Sequence, residues 1–378
     1  MKSIVKFINI ASLLLCLLIF SAGLIRTIKS PDNEIVYENR PAESFPQLSV
    51  SAYSDKSFQD SVEKALSDQV HAAIKMKKMY NIIDAGCALP FIDSMKSTEN
   101  AYIAFRDIYF YKDMLVVRPK SISENKAYID DGIARLNTHI ANMPETKFYA
   151  YYIETDKDID FVTGSKTGMF EHICSGLDLP KQNIARLEIS NYDDYRNNFL
   201  CTDHHWNASG AYSAYSAICQ MLGIETLPVH GQHIIEGRYL GTRSAGIEGI
   251  KPESFSVNIF DFPEMEITAN GNPATDYGQQ SQFIANELDS FSYGSVFGPD
   301  CAEIIFDTGK EGESLLIMGD SYDNALLKAL ACGFSQTYSV DLRAYDQLSF
   351  DIEGYVSNHD IDIVLYIGGV DYFSTILY

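Results

Sequence analysis

Asp203, His204 and His205 stand side by side in "CTDHHWN", and Ser321 follows an aspartate in "IMGDSYDN". These are residue types suited to nucleophilic catalysis. A serine hydroxyl needs a base to take its proton, and the base needs a carboxylate to orient it. Asp203 and His205 are two apart. In an extended segment their side chains fall on one side, so a carboxylate could hold one imidazole nitrogen while the other faces a serine. His204 would then point the opposite way, and Trp206 would wall the site. At Ser321 an apolar strand ends in Gly319 and a helix is expected to start at once. The serine's own N–H, the first helical N–H groups and the helix dipole could then stabilise an oxyanion.

Each motif alone also fits a plainer role. Ser321 could be a helix N-cap, the commonest job for serine at such a junction. Asp203 could be a further cap, either histidine a satisfied core residue, and Trp206 plain packing. A metal site built from Asp203, His204 and His205 ranks well below the nucleophilic reading. Three adjacent residues rarely converge on one ion, and no HxxxH pattern joins them. No metal and no cofactor is expected.

The elements that would position these residues are readable in outline. "KFYAYYI" from Lys147, "ARLEI" from Ala185, "SLLIMG", "YSVDL" and "IDIVLYIGG" read as strands. "NKAYIDDGIARLNTHIANM" reads as an amphipathic helix. A second helix is expected from Ala208 to Leu222 with Asn207 as its N-cap, and a third over "YDNALLKALAC". Strands alternating with helices imply a mostly parallel sheet covered on both faces. Residues 236 to 300 are rich in Gly, Ser, Pro and Asn with short alternating runs, and read as a β-rich insertion. "DIYFYKDMLVV" reads as strands and residues 56 to 82 as one or two helices. "DKDID" from Asp156 resembles the start of a calcium loop. Its sixth position is Phe161 and its twelfth Thr167, so a solvated acidic loop is expected instead.

The chain has 378 residues, 46% of them hydrophobic, and a formal net charge of −22. A sizeable core is possible. The acidic field, with no basic stripe, argues against nucleic acid as a partner. Residues 7–25 are uncharged and about long enough to cross a bilayer. They are read as an uncleaved signal anchor, with a cleaved signal peptide as the runner-up, so residues 1–28 form a transmembrane helix. Residues 29–103 form a stalk and helical segment, and 104–378 the main domain outside the cytoplasm. Beyond Cys16 lie Cys87, Cys174, Cys201, Cys219, Cys301 and Cys332. They permit three disulfides, but a chain of this size needs none.

"TDHHWN", with "GDSY" downstream and "VDLRAY" soon after, resembles the DHHW family. That group is SGNH-hydrolase-like and related to the alginate O-acetyltransferases of bacterial envelopes. "YENRPAESFPQL", "GRYLGTRSAGI" and "YGSVFG" support the resemblance. It implies a three-layer α/β fold in circularly permuted order, with the acid and base before the serine. It also implies that Asp203 orients, His205 is the base and Ser321 the nucleophile. Tyr322, Arg343, Trp206 and His204 are the candidates for oxyanion or substrate binding. The implied function is transfer of an acyl group from an acylated donor to an envelope polysaccharide, or hydrolysis of such an ester. A multi-spanning membrane acyltransferase is implied as a partner by analogy. Two departures stand out. Cys201 occupies a place where the family has a basic residue, and no asparagine follows the last strand, where Gly368-Gly369-Val370-Asp371 stands. They leave open a second class of function, a catalytically silent envelope module that binds polysaccharide or scaffolds an assembly.

Overall fold

The computed structural model describes residues 12–15, 17, 18, 21–23, 25–27, 34, 35, 40–47, 49–54, 56–69, 73–96, 100–119, 121–239, 241–244, 247, 253–274, 277, 290–344 and 350–376. The chain divides into two compact units, Met1–Asp93 with Ser244–Lys251, and Ser94–Arg243 with Pro252–Tyr378.

In the first unit, helices span Val50–Ser54, Ser57–Gln69 and Ala73–Lys96, the last continuing to the start of the second unit. The Glu43 N–H donates to Asp68 and the Gln69 amide returns to the Glu43 carbonyl, which ties the chain at Glu43 to the Ser57–Gln69 helix. The expected membrane anchor, residues 7–25, lies partly outside the described residues. Among the described residues no helix is long and apolar enough to cross a membrane.

The second unit is built on one eight-stranded sheet. In chain order its strands are β1 (Lys147–Ile153), β2 (Ile184–Leu187), β3 (Glu266–Ala269), β4 (Asn272–Pro273), β5 (Glu303–Asp307), β6 (Leu315–Met318), β7 (Gln336–Val340) and β8 (Ile363–Gly368). Their spatial order is β4-β3-β5-β7-β6-β8-β1-β2. From β7 to β2 every pairing is parallel, whereas β5, β3 and β4 extend the sheet antiparallel. The expected α/β sheet is therefore mixed. Part of the stretch read as an insertion supplies β3 and β4 to the main sheet. Other described parts of it, with residues 231–235 just ahead, form a small separate sheet from Gly231–Tyr239, Glu253–Ile259 and Ser290–Phe291, and Tyr293–Phe297 is helical.

The central strands are apolar throughout because both faces are covered. Alternate side chains go to opposite cores. Leu315, Ile317, Ile363, Leu365 and Ile367 face helix α3 (Ala208–Leu222) and helix α4 (Leu327–Ala331). Leu316, Met318, Val364 and Tyr366 face α1 (Ile122–Asn142), α2 (Met169–Gly176) and α5 (Ile352–Asn358). Each such side chain contributes about 1.5–3 kcal/mol when fully buried. Helix α3 has the expected bounds for visible reasons. The Asn207 side chain accepts from the Ser209 and Gly210 N–H groups, and Gly223 ends the helix at φ 74°, a conformation that costs glycine little.

Candidate functional site

Residues 200–205 form a tight loop just ahead of α3. Phe199 and Trp206 close its base by an antiparallel bridge, and the Leu200 N–H donates to the His205 carbonyl at 3.0 Å. Inside the loop the Asp203 carboxylate replaces the backbone partners the chain lacks. Its Oδ1 accepts from the N–H groups of His204 (2.6 Å) and His205 (3.2 Å). That turn curls the segment, so the expected extended geometry does not hold. His204 does not point away. Its ring lies against that of His205, with centroids 3.9 Å apart.

The same oxygen receives His205 Nδ1 at 2.9 Å, and His205 Nε2 lies 2.9 Å from Ser321 Oγ. Asp203 and His205 are 1% and 4% exposed, and Ser321 is half-buried. The structure thus brings the three residues into one hydrogen-bonded line across 118 positions of sequence, from Asp203 to Ser321. Tyr239 Oη (2.5 Å) and the Thr242 N–H (3.0 Å) donate to Asp203 Oδ2, and Thr242 Oγ1 donates to Oδ1 at 3.0 Å. Burial alone would disfavour the Asp203 anion. The adjoining His205 and His204 imidazoles outweigh it and hold the carboxyl well below the usual carboxylate range. The Tyr293 ring stacks flat on His205, with centroids 3.9 Å apart and planes within 5°.

Ser321 sits beyond the C-terminal end of β6, in a turn. The Asp320 side chain accepts from the Tyr322 N–H, and the Asp323 N–H closes on the Asp320 carbonyl. Asp320 therefore does the capping there, and Ser321 Oγ is left for His205. A single 3-10 turn, Asp323–Ala325, precedes α4, which has five residues. The helix expected to start at the serine begins later and is short, so its dipole offers little at Ser321. The local donors are turn N–H groups, and the Ser321 N–H has no partner among the described residues. Burial pushes the Asp320 carboxyl up to about 6, despite the Tyr322 N–H bond.

A cleft of about 170 Å³ opens at Ser321. It lies where the C-terminal ends of four parallel strands meet, the usual ligand position in an open α/β sheet. Thr155 and Lys157 follow β1, Arg343 follows β7, and Gly369 and Asp371 follow β8. Lys157 and Asp371 are ion-paired across it. His204 and Tyr322 also line it.

The remaining predicted residues fall out as follows. Tyr322 lines the cleft, but its hydroxyl donates to the His204 carbonyl at 2.7 Å and so ties the serine turn to the histidine loop. Arg343 lines the cleft and is also held in a salt bridge, with Nη2 2.6 Å from Asp341 and 3.1 Å from Asp300. Trp206 does not wall the cleft. It is 1% exposed, donates from Nε1 to Tyr293 Oη, and packs edge-on to Tyr322. Asp203, His204 and His205 each offer a ligand atom within 4.8 Å of the others. The ring nitrogens nearest the carboxylate, however, already face one of its oxygens, His205 Nδ1 in a hydrogen bond at 2.9 Å and His204 Nδ1 at 3.1 Å.

The acidic loop after β1 was expected to be solvated, and it is buried instead. Asp156 is fully buried and pairs with Arg243 Nη1 at 2.7 Å, while Asp158 accepts from Tyr152 Oη and the Thr155 N–H. Arg243 completes its valence on the Leu115 carbonyl and Tyr195 Oη. Cys201 has Arg196 nearby, which lowers its pKa but does not prevail. Its thiol is pushed up to about 12 by burial and by Glu253, an inert setting. Glu253 accepts from the N–H groups of Cys201 and Thr202, which holds the loop from below. All six cysteines among the described residues are free thiols.

Tyr239, Thr242, Arg243 and Tyr293 had no assigned role in the sequence. The first three lie within "GRYLGTRSAGI" and the last within "YGSVFG", so the signal was the motif, not the chemistry of any one residue.

The fold and site define an α/β protein with a serine, a histidine and an aspartate in line at the carboxyl edge of its sheet. Residues 169–340 match the family model described as DHHW protein, and the resemblance read from the sequence holds over that stretch. Among solved structures, PatB1 of Bacillus cereus is similar at 17% identity and a TM-score of 0.55, covering 74% of this chain and 99% of that one. PatB1 with a sulfonyl adduct gives 18% identity and 0.53, covering 71% and 97%. A DHHW family protein from Eubacterium siraeum gives 19% and 0.51, covering 72% and 94%. These likenesses establish a shared fold. No curated protein matches the chain.

Proposed function

We propose that the chain is an exported, membrane-anchored SGNH-like enzyme of circularly permuted order that moves acyl groups through an acyl-serine intermediate. The observation that carries this reading is the Asp203–His205–Ser321 line, with both of its links at 2.9 Å. Ser321 Oγ attacks the carbonyl carbon of an acyl donor while His205 Nε2 takes the hydroxyl proton. The oxyanion that forms is met by the Ser321 N–H, and Gly369, whose backbone lines the same cleft, is the candidate for a second donor. The donor's C–O bond breaks, and the leaving group departs with the proton from His205. An acceptor hydroxyl then gives its proton to His205 and attacks the acyl carbon, and the bond from that carbon to Ser321 Oγ breaks as His205 returns the proton to Ser321. Asp203 holds His205 with Nδ1 protonated and balances its transient charge.

The acceptor in this reading is a hydroxyl of an envelope polysaccharide, with water as the competing acceptor. A multi-spanning membrane acyltransferase is the proposed source of acyl groups, and residues 7–25 are the proposed anchor. Family resemblance supports the first two assignments, and the uncharged apolar run supports the third. The cleft supports a small acyl group, since its volume is below the roughly 300 Å³ from which drug-sized ligand pockets start.

The test is covalent labelling with a sulfonyl fluoride, followed by peptide mass spectrometry. The reading expects one adduct on Ser321, lost in Ser321→Ala. If the folded protein stays unlabelled across pH 6–9, the chain is a silent envelope module.

A further inference from the structure

His204 is an imidazole beside the catalytic line that the mechanism does not use. Its tautomer is fixed by its neighbours. Thr242 Oγ1 spends its hydrogen on Asp203 Oδ1, so at 2.8 Å it can only accept from His204 Nδ1. The second contact of that nitrogen, Asp203 Oδ1 at 3.1 Å, is also an acceptor. His204 therefore carries its proton on Nδ1, and Nε2 bears a lone pair. The side chain is 36% exposed, it lines the cleft, and Nε2 has no partner among the described residues. Burial and the neighbouring His205 lower its pKa, which keeps the ring neutral.

His205 shares this anchoring. Both Nδ1 atoms reach the same carboxylate oxygen, the ring centroids are 3.9 Å apart, and the planes differ by 36°. The two rings thus stand side by side, with His205 Nε2 at Ser321 Oγ and His204 lining the cleft. Each ring can accept from one hydroxyl, and rings with centroids only 3.9 Å apart suit hydroxyls that lie close together, as those on adjacent carbons do.

We propose that His204 and His205 together read a vicinal diol: the reacting hydroxyl gives its proton to His205 while its neighbour donates a hydrogen bond to His204 Nε2. His204 is thus a specificity residue for the acceptor, and the acceptor class is a sugar with an unmodified adjacent hydroxyl. This rests on the acyl-serine reading.

The experiment gives the full chain p-nitrophenyl acetate as donor and an equimolar mixture of trans-cyclohexane-1,2-diol and cyclohexanol as acceptors. Acetylated products are counted by mass spectrometry. Wild type should favour the diol, per hydroxyl, by roughly 2- to 10-fold, the worth of one hydrogen bond. His204→Gln keeps an acceptor near the Nε2 position and should retain the preference. His204→Asn keeps the bond to Thr242 but loses the cleft-facing acceptor, and should bring the ratio to one. A purely structural role for His204 predicts the opposite order. A wild-type ratio of one, transfer to water alone, or an unchanged ratio in His204→Asn overturns the proposal. Failure of the underlying reading looks different: no acetyl group is then found on Ser321 of the wild-type protein, and the proposal falls with it.

Discussion

At the residue scale the site is organised around one carboxylate. Asp203 accepts six hydrogen bonds, from His204 N–H, His205 N–H, His205 Nδ1, Thr242 N–H, Thr242 Oγ1 and Tyr239 Oη. It shapes the loop and orients the His205 ring. Asp203→Asn presents donors where acceptors are needed, which favours the wrong tautomer of His205. It should lower the rate of esterase turnover on the order of 10³- to 10⁴-fold, measured with p-nitrophenyl acetate. Arg243 shows the same logic without touching the reacting atoms. Arg243→Ala leaves Asp156 buried and uncompensated and should cost about 3–5 kcal/mol in denaturant unfolding. Arg243→Lys keeps the charge but loses the fork that serves Asp156, Leu115 and Tyr195 together, and should recover only part of that.

At the scale of elements, local signals were legible where local chemistry decides. Asn207 and Gly223 mark both ends of α3, and the apolar run from Lys147 marks β1. The sequence also pointed to a turn at Ser321, since a buried strand stops at Gly319. It did not reveal that β3, β4 and β5 continue the main sheet antiparallel. Alternation in "MEITA" says that a strand forms but not which neighbour pairs with it. The bent loop at Asp203 was hidden for a related reason. An aspartate that bonds to the next two N–H groups looks, in sequence, like any aspartate in an extended segment. Likewise Asp156 and Asp158 look solvated until Arg243 and Tyr152 meet them. The segment at Gly241 packs on the histidine loop by close backbone approach. A Cβ there would lie 2.2 Å from the Thr202 carbonyl oxygen and 2.7 Å from Asp203 Cβ. Gly241→Ala must push the histidine loop away, at a cost of about 1–3 kcal/mol. Thermal unfolding should register that loss, together with a fall in esterase rate larger than any change in substrate affinity.

At the scale of the whole molecule, an acidic protein is expected to resist acid through its ionised carboxylates. Here some buried carboxyls act in the other direction. Burial pushes Asp158 up to about 7, although Tyr152 and Thr155 donate to it, and Asp320 up to about 6. A carboxyl whose folded pKa is raised binds its proton more tightly in the native state. Its stabilisation is complete below the ordinary value of 3.8 and is lost as pH climbs through the folded value. From pH 5 to 7 the native state holds the Asp158 proton and the unfolded chain does not, so Asp158 contributes a loss of roughly 1 kcal/mol per pH unit. Asp203 has the opposite sign, but it titrates well below this window. Asp158→Asn should flatten the fall in melting temperature between pH 5 and 7, and an unchanged slope would refute the assignment.

The central claim is that Ser321 is an activated nucleophile, and its most direct measurement is the intact mass of the protein after exposure to a sulfonyl fluoride. One added sulfonyl group that maps to Ser321, and is absent from Ser321→Ala and strongly slowed in His205→Ala, is the predicted result. A folded wild-type protein that takes up no reagent, or takes it up equally well without His205, would contradict the account.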